Sequence, residues 1–447
     1  MEDTIAAIST SSGAGAISII RISGPESINI INKIFSHDLT NAKSHTIHYG
    51  HIISNNEIID EVLVSIMRSP KTFTTEDTIE INCHGGYATT NKVLELVLKN
   101  GARLAEPGEF TKRAFLNGRI DLLEAESVMD LIDSKTEASR KLSISGLTGN
   151  ISNKIESLRE ELIKIISNIE VNIDYPEYED INVVTNEEIL PKVKELKEKI
   201  ETILSDSDTG KIINNGIDVG IIGKPNVGKS SLLNTLLGED KAIVTDIEGT
   251  TRDIVTGSIT LDGILLNFID TAGIRETNDL VESLGIEKSK DIISKCDLVI
   301  LLLDNSKELS NEDKYLIDLI KDKKHIIIVN KTDLPTKLNK DNLDTIEISI
   351  KENIGIDKLK NKIKELFHLE EIKTSDMTYL SSARSIALLT EAKNKLEEVL
   401  NNIELDTPVD IIEIDLKECW NLLGEIIGKT YTDELLDELF QRFCLGK

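Results

Sequence analysis

The chain has 447 residues, of which 40% are hydrophobic and 29% charged, and its formal net charge at pH 7 is −27. This length suggests about two to four domains, each large enough for its own core, and the composition excludes a disordered or fibrous protein. The acidic balance argues against a protein that grips nucleic acid over its whole surface, although it leaves room for a local basic patch or a basic partner.

The sequence has the features of a cytoplasmic protein. No two of its cysteines have the close spacing of a zinc site or a redox pair, so we expect reduced thiols. Glu2 and Asp3 stand where a signal peptide would carry positive charge. The longest fully apolar run, residues 298–303, is far shorter than the roughly 20 residues that span a bilayer.

The first part of the chain, residues 1–118, alternates short apolar runs with turns. This pattern predicts four strands followed by one helix, over residues 17–22, 46–52, 62–67, 78–83 and 87–98. We therefore predict a compact α+β domain.

Two regions with helical spacing of apolar residues follow, one on each side of residues 216–370. The spacing predicts helices over residues 154–171, 186–204, 382–403 and 411–443. Neither region has enough apolar helix faces to enclose a core by itself. We therefore predict that residues 119–215 and 371–447 are two halves of one helical domain. The alternative is two independent helical regions.

The intervening residues, 216–370, alternate apolar strands with amphipathic helices. This alternation is typical of an α/β domain with a mainly parallel sheet. Because the segment separates the two helical halves, we predict that it is inserted into the helical domain.

Residues 223–230 read GKPNVGKS and fit the phosphate-binding pattern G-x-x-x-x-G-K-[ST]. A predicted strand, 217–222, precedes the motif and a predicted helix, 231–237, follows it, which is the context that the motif requires. Glycines let backbone N–H groups wrap the phosphates, Lys229 places positive charge on the β and γ oxygens, and Ser230 presents a hydroxyl to Mg²⁺.

Two further segments predict a switch that senses the γ-phosphate. Residues 270–273, DTAG, follow the predicted strand 264–269, so that Asp270 can hold the magnesium shell and the Gly273 amide can reach the γ-phosphate. Thr251 lies between this motif and the P-loop and can close over Mg²⁺. Loops that are held by γ-phosphate and released on hydrolysis form a switch.

Residues 330–333, NKTD, follow the predicted strand 325–329 and predict the base site. The carboxylate of Asp333 can accept both hydrogen bonds that guanine offers, and a site built around that pair rejects adenine. Ser349 and Ile350 stand where GTPases place a loop against the base, although the second residue is usually smaller than Ile350.

The hydrolysis site departs from that of many switch GTPases. Ile274 occupies the position where these proteins carry the glutamine that orients the attacking water. Glu282 can take over that role by reaching back, or it can be a solvated loop carboxylate, and spacing does not decide between them. Arg252 and Arg275 are candidates for an arginine finger or for surface ion pairs. Asn226 offers the kind of neutral oxygen that K⁺ accepts.

The whole chain resembles the TrmE/MnmE family of tRNA-modification GTPases. The resemblance rests on the P-loop, on residues 246–253 (DIEGTTRD) and 270–275 (DTAGIR), on residues 107–118 (PGEFTKRAFLNG) and on the final residues 443–447 (FCLGK). Ile350 and Ser385, which stands where relatives commonly have histidine, depart from the family pattern. The resemblance implies a multidomain α/β plus α fold: an α+β folate-binding-like domain, a helical bundle and an inserted Ras-like GTPase domain.

The resemblance implies that hydrolysis depends on K⁺ and on GTPase domains that dimerise across their nucleotide faces. Lys229, Thr251 and Glu282 match the family's catalytic positions, with Glu282 positioning the water through an intermediate water. Ser230 and Thr251 match its Mg²⁺ ligands. The K⁺ site matches Asn226 together with oxygens at Thr245, Ile247 and Thr250. The GTP contacts implied in this way are Asn226, Val227, Gly228, Lys229, Ser230, Ser231, Thr245, Asp246, Ile247, Glu248, Gly249, Thr250, Thr251, Asp270, Thr271, Ala272, Gly273, Asn330, Lys331 and Asp333.

The resemblance also implies that the N-terminal domain is a constitutive dimer interface and binds a one-carbon tetrahydrofolate. Arg21, Glu80, Arg119 and Lys447 match the family's folate contacts by position. Cys444 is either a thiol that acts close to the folate or a small packing residue. Both alternatives remain open.

The family works with a partner, MnmG, which uses FAD and NADH. The resemblance implies a homodimer that forms a heterotetramer with MnmG and adds a carboxymethylaminomethyl or aminomethyl group at carbon 5 of the wobble uridine of certain tRNAs. The folate supplies the carbon, and glycine or ammonium the nitrogen. A basic partner that holds most of the tRNA fits the acidic composition of this chain. The alternative is a regulatory GTPase switch in ribosome assembly.

Overall fold

The computed structural model describes residues 3–11, 13–174, 186–239, 255–269, 282–340, 343–369, 378–443 and 445–446. Its contacts divide the chain into two compact units. The first unit comprises Met1–Met129, Gly146–Lys197 and Ala387–Lys447, and the second comprises Asp130–Ser145 and Glu198–Ile386. The first unit is thus built from three segments and the second from two, and these segments alternate along the chain. No helix of the described ranges is long and apolar enough to cross a membrane.

The first unit begins with a six-stranded sheet in the order β3-β4-β5-β2-β1-β6. Its elements are β1 (Ile5–Ile8), β2 (Ile17–Ser23), α1 (Ser27–Ile34), β3 (Thr46–Ser54), β4 (Glu57–Met67), β5 (Thr78–His84), α2 (Tyr87–Lys99) and β6 (Arg103–Leu104). The predicted α+β architecture is confirmed. Alternate residues of the strands, such as Val62, Val64 and Ile66, are buried with apolar residues of α1 and α2.

The opposite face of this sheet is covered only in part. At the β1 end, helix α3 (Glu109–Leu116) buries Phe110 in a small cluster with Ile5 and Ala7, and Phe73 packs against that cluster. Elsewhere, β3, β4 and the start of β2 leave large apolar side chains of this face exposed. We call this region, which comprises Ile17, Ile47, Tyr49 and Leu63, the open sheet face.

Four helices lie between the two sheets in sequence: α4 (Leu122–Asp133), α5 (Glu137–Leu147), α6 (Asn150–Asp174) and α7 (Asn186–Asn215). The last of them extends well beyond the predicted end at residue 204. It ends at Gly216, whose φ of +82° favours glycine and where a Cβ would lie 2.5 Å from the carbonyl oxygen of Leu265.

The second unit contains a six-stranded sheet in the order β12-β11-β10-β7-β9-β8. Its elements are β7 (Ile217–Ile222), α8 (Lys229–Glu239), β8 (Val255–Leu261), β9 (Ile264–Ile269), α9 (Glu282–Lys295), β10 (Leu298–Asp304), α10 (Asn311–Leu319), β11 (His325–Asn330), β12 (Thr345–Glu347) and α11 (Ile356–Leu366). Only β8 is antiparallel to its neighbour, so the predicted mainly parallel sheet is confirmed. Apolar clusters lie on both faces, and the carboxyl ends of β7, β10 and β11 meet at one edge.

Three more helices follow α11 in sequence: α12 (Ala383–Glu404), α13 (Val409–Ile426) and α14 (Asp433–Gln441). The prediction of one helical block over residues 411–443 is wrong, because two helices occupy it. Gly428, with φ of +74°, ends the first, and the side chain of Thr432 accepts a hydrogen bond from the amide of Leu435 to cap the second.

Candidate functional site

The P-loop joins the end of β7 to the start of α8, and tight backbone geometry fixes its course. Gly223, Asn226 and Gly228 have φ of +142°, +63° and +109°. A Cβ at Gly223 would lie 2.5 Å from the carbonyl oxygen of Leu302 on the neighbouring strand, so only glycine fits there. Asn226 is exposed, and its side chain makes no hydrogen bond to the described residues.

Lys229, the first residue of α8, lies directly over this loop. Its ammonium donates to the carbonyl oxygens of Gly223 at 2.6 Å and of Lys224 at 2.8 Å. Burial lowers the pKa of Lys229, and the charge of Glu312 opposes that shift. A cation beside a helix N-terminus is suited to phosphate. Ser230 is the second residue of the same helix and therefore lies in the same first turn as Lys229.

The predicted guanine motif is tied to the P-loop by its first two residues. The Asn330 side chain donates to the carbonyl oxygen of Val227 at 2.8 Å and accepts from the amide of Ile350 at 3.3 Å. Lys331 donates to the carbonyl oxygen of Asn226 at 2.8 Å. The buried amide of Asn330 and the ammonium of Lys331 therefore tie the predicted guanine motif to the P-loop.

Asp333 is held by the loop that follows β12. The hydroxyl of Ser349, which is buried, donates to a carboxylate oxygen of Asp333 at 2.8 Å. Thr332 donates to the carbonyl oxygen of Ile348 at 3.0 Å and anchors the same loop. The side chain of Ile350 packs against the core of the second unit.

Sequence reasoning missed Asp304 as a member of this site. Its buried carboxylate accepts a hydrogen bond from the Lys331 ammonium at 2.7 Å. Burial alone would raise the pKa of Asp304, but the hydrogen bonds from Lys331 and Ser306 outweigh it and the net shift is downward. One feature of the sequence could have identified Asp304. It directly follows the apolar run 298–303, just as Asn330 directly follows the apolar residues of β11.

Several predicted site residues lie outside the described residues. They are Thr245, Asp246, Ile247, Glu248, Gly249, Thr250, Thr251, Asp270, Thr271, Ala272, Gly273, Cys444 and Lys447. Glu282 is the first residue of α9, and only its backbone is described. The described residues contain no group of three or more His, Cys, Asp and Glu side chains that could hold a metal ion.

A second polar site lies on the N-terminal sheet, where β2 pairs with β5. Arg21 and Glu80 are cross-strand partners, and the guanidinium Nε of Arg21 donates to a carboxylate oxygen of Glu80 at 2.9 Å. The chain end returns to the same place. The carbonyl oxygen of Gly446 accepts from Arg21 Nη1 at 3.3 Å and from the hydroxyl of Ser9 at 3.1 Å. Two predicted folate contacts and the penultimate residue of the chain thus converge.

Aromatic rings border this second site. The guanidinium carbon of Arg21 lies 5.6 Å from the ring centre of Phe110, and that of Arg119 lies 4.9 Å from the ring centre of Phe73. Phe73 packs against the cluster that contains Phe110. Arg119 also donates to the carbonyl oxygen of Phe73 at 3.1 Å. Both arginines therefore approach one aromatic cluster.

Comparison with known proteins identifies the family. A model described as the MnmE helical domain matches residues 122–444, and one described as the GTP-binding protein TrmE N-terminus matches residues 4–119. The tRNA modification GTPase MnmE of Enterococcus faecalis is 50% identical, and that of Ligilactobacillus salivarius is 52% identical. Each alignment covers 100% of this chain and 98% of the relative.

Solved structures of other GTPases match part of the chain. Era of Aquifex aeolicus is 27% identical with a TM-score of 0.26, over 40% of this chain and 66% of that chain. The G domain of the T. maritima FeoB iron transporter is 26% identical with a TM-score of 0.26, over 34% of this chain and 98% of that chain. The assignment rests instead on the full-length relatives and the two family models: this chain belongs to the MnmE family of tRNA modification GTPases and is a GTP hydrolase.

Proposed function

We propose that this chain hydrolyses GTP in a K⁺-dependent reaction that requires two GTPase domains to pair, and that the reaction serves the addition of a carboxymethylaminomethyl or aminomethyl group at carbon 5 of a tRNA wobble uridine. The observation that carries the tRNA-modification part of the proposal is the convergence of Arg21, Glu80 and Gly446 on the N-terminal sheet.

The nucleotide site suits GTP with two kinds of metal ion. Ser230 and Thr251 would hold Mg²⁺, which neutralises charge on the phosphates. Asn226 would hold K⁺ together with backbone oxygens at Thr245, Ile247 and Thr250. The exposed Asn226 amide, which no described residue engages, supports this assignment.

The hydrolytic step itself needs charge neutralisation and an oriented water. In the proposal Lys229 provides a fixed positive charge beside the phosphates, Thr251 closes over Mg²⁺, and Glu282 orients the attacking water through a second water. Ile274 cannot form that hydrogen bond. Glu282, the first residue of α9, is the alternative that the family resemblance implies.

The second polar site suits a one-carbon tetrahydrofolate. A carboxylate accepts hydrogen bonds from ring N–H and amino groups. A guanidinium group binds a carboxylate through two parallel hydrogen bonds. Glu80, Arg21 and Arg119 provide these groups beside an aromatic cluster, and Lys447 follows directly on the anchored Gly446. The bound folate would supply the one-carbon unit. Whether Cys444 acts as a thiol or as a packing residue stays open.

We place the homodimer interface on the open sheet face. Ile17, Ile47, Tyr49 and Leu63 are exposed there, and Tyr49 and Leu63 are direct cross-strand partners. Exposed contiguous apolar side chains mark interaction surfaces. The face is continuous with the strands that carry Arg21 and Glu80, so pairing there would place folate close to the interface.

The remaining parts of the proposal concern organisation and partners. We propose domains over residues 1–118, 216–370 and, for the helical domain, 119–215 with 371–447. The protein would act in the cytoplasm as a homodimer within a heterotetramer with MnmG, whose FAD and NADH supply redox chemistry. MnmG would also hold most of the tRNA, since this chain carries a net charge of −27.

Calorimetric titration of the full-length protein with tetrahydrofolate separates this proposal from a regulatory GTPase in ribosome assembly. We expect saturable binding that weakens at least tenfold in Arg21→Ala and in Glu80→Gln, with GDP affinity unchanged. Arg140→Ala, which removes an exposed arginine paired only within α5, is the matched control. Absence of folate binding to the wild type would favour the ribosome-assembly alternative.

A further inference from the structure

The second residue of the P-loop, Lys224, is tied to the start of α10. Its ammonium donates to a carboxylate oxygen of Asp313 at 2.6 Å and to the hydroxyl of Ser310 at 2.9 Å. The side chain of Asp313 is 4% exposed and that of Lys224 19% exposed. This is a largely buried ion pair rather than a mobile surface contact.

The two groups that accept hydrogen bonds from Lys224 are held in place by the start of α10. Ser310 and Asp313 form a capping box, in which the Asp313 carboxylate accepts from the amide and hydroxyl of Ser310 at 2.9 and 2.8 Å and the Ser310 hydroxyl accepts from the Asp313 amide. A carboxylate held by two donors of its own helix cannot follow Lys224 if the loop moves. The contact therefore holds the loop to the helix.

The backbone of Lys224 is part of the phosphate site. Its carbonyl oxygen accepts the hydrogen bond from Lys229, whose ammonium faces the loop. The second half of the loop has its own anchors, because Asn330 holds Val227 and Lys331 holds Asn226. In the first half, Gly223 fits closely under Leu302, and Lys224 provides the described side-chain anchor.

We propose that Lys224 is a positioning residue for nucleotide binding. By locking the first half of the P-loop to α10, it holds the loop in the conformation that receives the phosphates, so that binding does not have to order the loop. We expect the same effect for GDP and GTP, because Lys224 acts on the loop backbone that receives the phosphates of both nucleotides. It requires neither K⁺ nor folate.

The test measures affinity and dissociation rate of a fluorescent GDP analogue on the full-length protein with Lys224→Met, Lys224→Arg and Asp313→Asn. We expect Lys224→Met to bind roughly tenfold more weakly through faster dissociation, while Lys224→Arg keeps most of the affinity. Lys321→Met is the matched control, since Lys321 forms an exposed ion pair with Asp318 at the far end of α10. Because Lys224→Met leaves the buried Asp313 carboxylate without its cation, we expect some loss of thermal stability, and affinities are compared at a temperature where every variant is folded.

Two results would overturn the proposal. One is Lys224→Met binding within twofold of the wild type, which would make the pair a contact without consequence for the nucleotide. The other is that the losses of Lys224→Met and Asp313→Asn multiply in the double variant, which would mean that Lys224 acts on the nucleotide directly. The positioning role is supported if the double variant binds the GDP analogue as tightly as the single variant that has the lower affinity.

Discussion

Gly446 meets the strictest steric requirement of any residue in the second polar site. Its φ is +87°, and a Cβ there would lie 2.3 Å from the carbonyl oxygen of Ile8. A left-handed conformation costs a non-glycine residue about 1–2 kcal/mol before any clash is counted. A side chain at this position would therefore push the chain end away from Arg21 and Ser9.

Gly446→Ala should weaken tetrahydrofolate binding at least tenfold and leave GTP hydrolysis without folate or tRNA unchanged, because the two sites lie in different units. Calorimetry and a phosphate-release assay measure the two properties. Gly86→Ala is the control, since a Cβ there would meet nothing closer than the hydroxyl of Thr89 at 3.8 Å. Equal folate affinity in Gly446→Ala and wild type would contradict a role for the chain end.

The base site makes an equally local prediction. Asp333→Asn replaces an acceptor of two hydrogen bonds by a group that offers one acceptor and one donor, so we expect GTP affinity to fall at least about 100-fold. Xanthosine triphosphate, which carries an oxygen where guanine has its amino group, should bind the variant better than GTP does. Competition binding measures both. A variant that still prefers GTP would show that Asp333 does not face the base.

At the scale of helices and strands, regular hydrophobic patterns were predictable and irregular ends were not. The mainly parallel sheet followed from the apolar strands, but β1 has only four residues and α1 only eight, too short to show a period. Site residues within contiguous motifs were likewise predictable. The Lys224–Asp313 and Asp304–Lys331 pairs were not, because each joins residues that only the folded sheet brings together.

A titratable contact joins β4 to the end of β5. Nδ1 of His84 lies 2.7 Å from a carboxylate oxygen of the buried Asp60, while the imidazole is 70% exposed. The hydrogen bond with Asp60, followed by its negative charge, raises the pKa of His84. Since the folded pKa is the higher one, the pair stabilises the fold fully below the unfolded pKa of about 6.5, and this contribution is lost as the pH rises through the folded value.

NMR titration should give His84 a pKa above 6.5, and Asp60→Asn should return it toward that value. Chemical unfolding of the same two proteins should show that the wild type loses stability between pH 6.5 and the measured pKa, whereas the variant loses less. A His84 pKa at or below 6.5 would show that the imidazolium is not stabilised by Asp60.

At the scale of the whole molecule, the open sheet face predicts the oligomeric state. Ile47→Asp places a charge within this face and should weaken the homodimer at least tenfold, because burying an unpaired carboxylate is costly. Analytical ultracentrifugation in about 0.15 M salt, where surface charges are screened beyond about 8 Å, measures this. Ile414→Asp, on an equally exposed isoleucine of α13, should leave the dimer intact. A dimer that persists in Ile47→Asp would move the interface elsewhere.

We propose that GTP hydrolysis by this chain depends on a bound K⁺ ion. The most direct measurement is the hydrolysis rate in K⁺ against Na⁺ at equal ionic strength, for the wild type and for Asn226→Ala. We expect K⁺ to raise the wild-type rate at least tenfold, and we expect Asn226→Ala to keep the Na⁺ rate but lose the stimulation. Equal wild-type rates in the two salts would contradict it and indicate an ordinary switch GTPase that awaits an external activator.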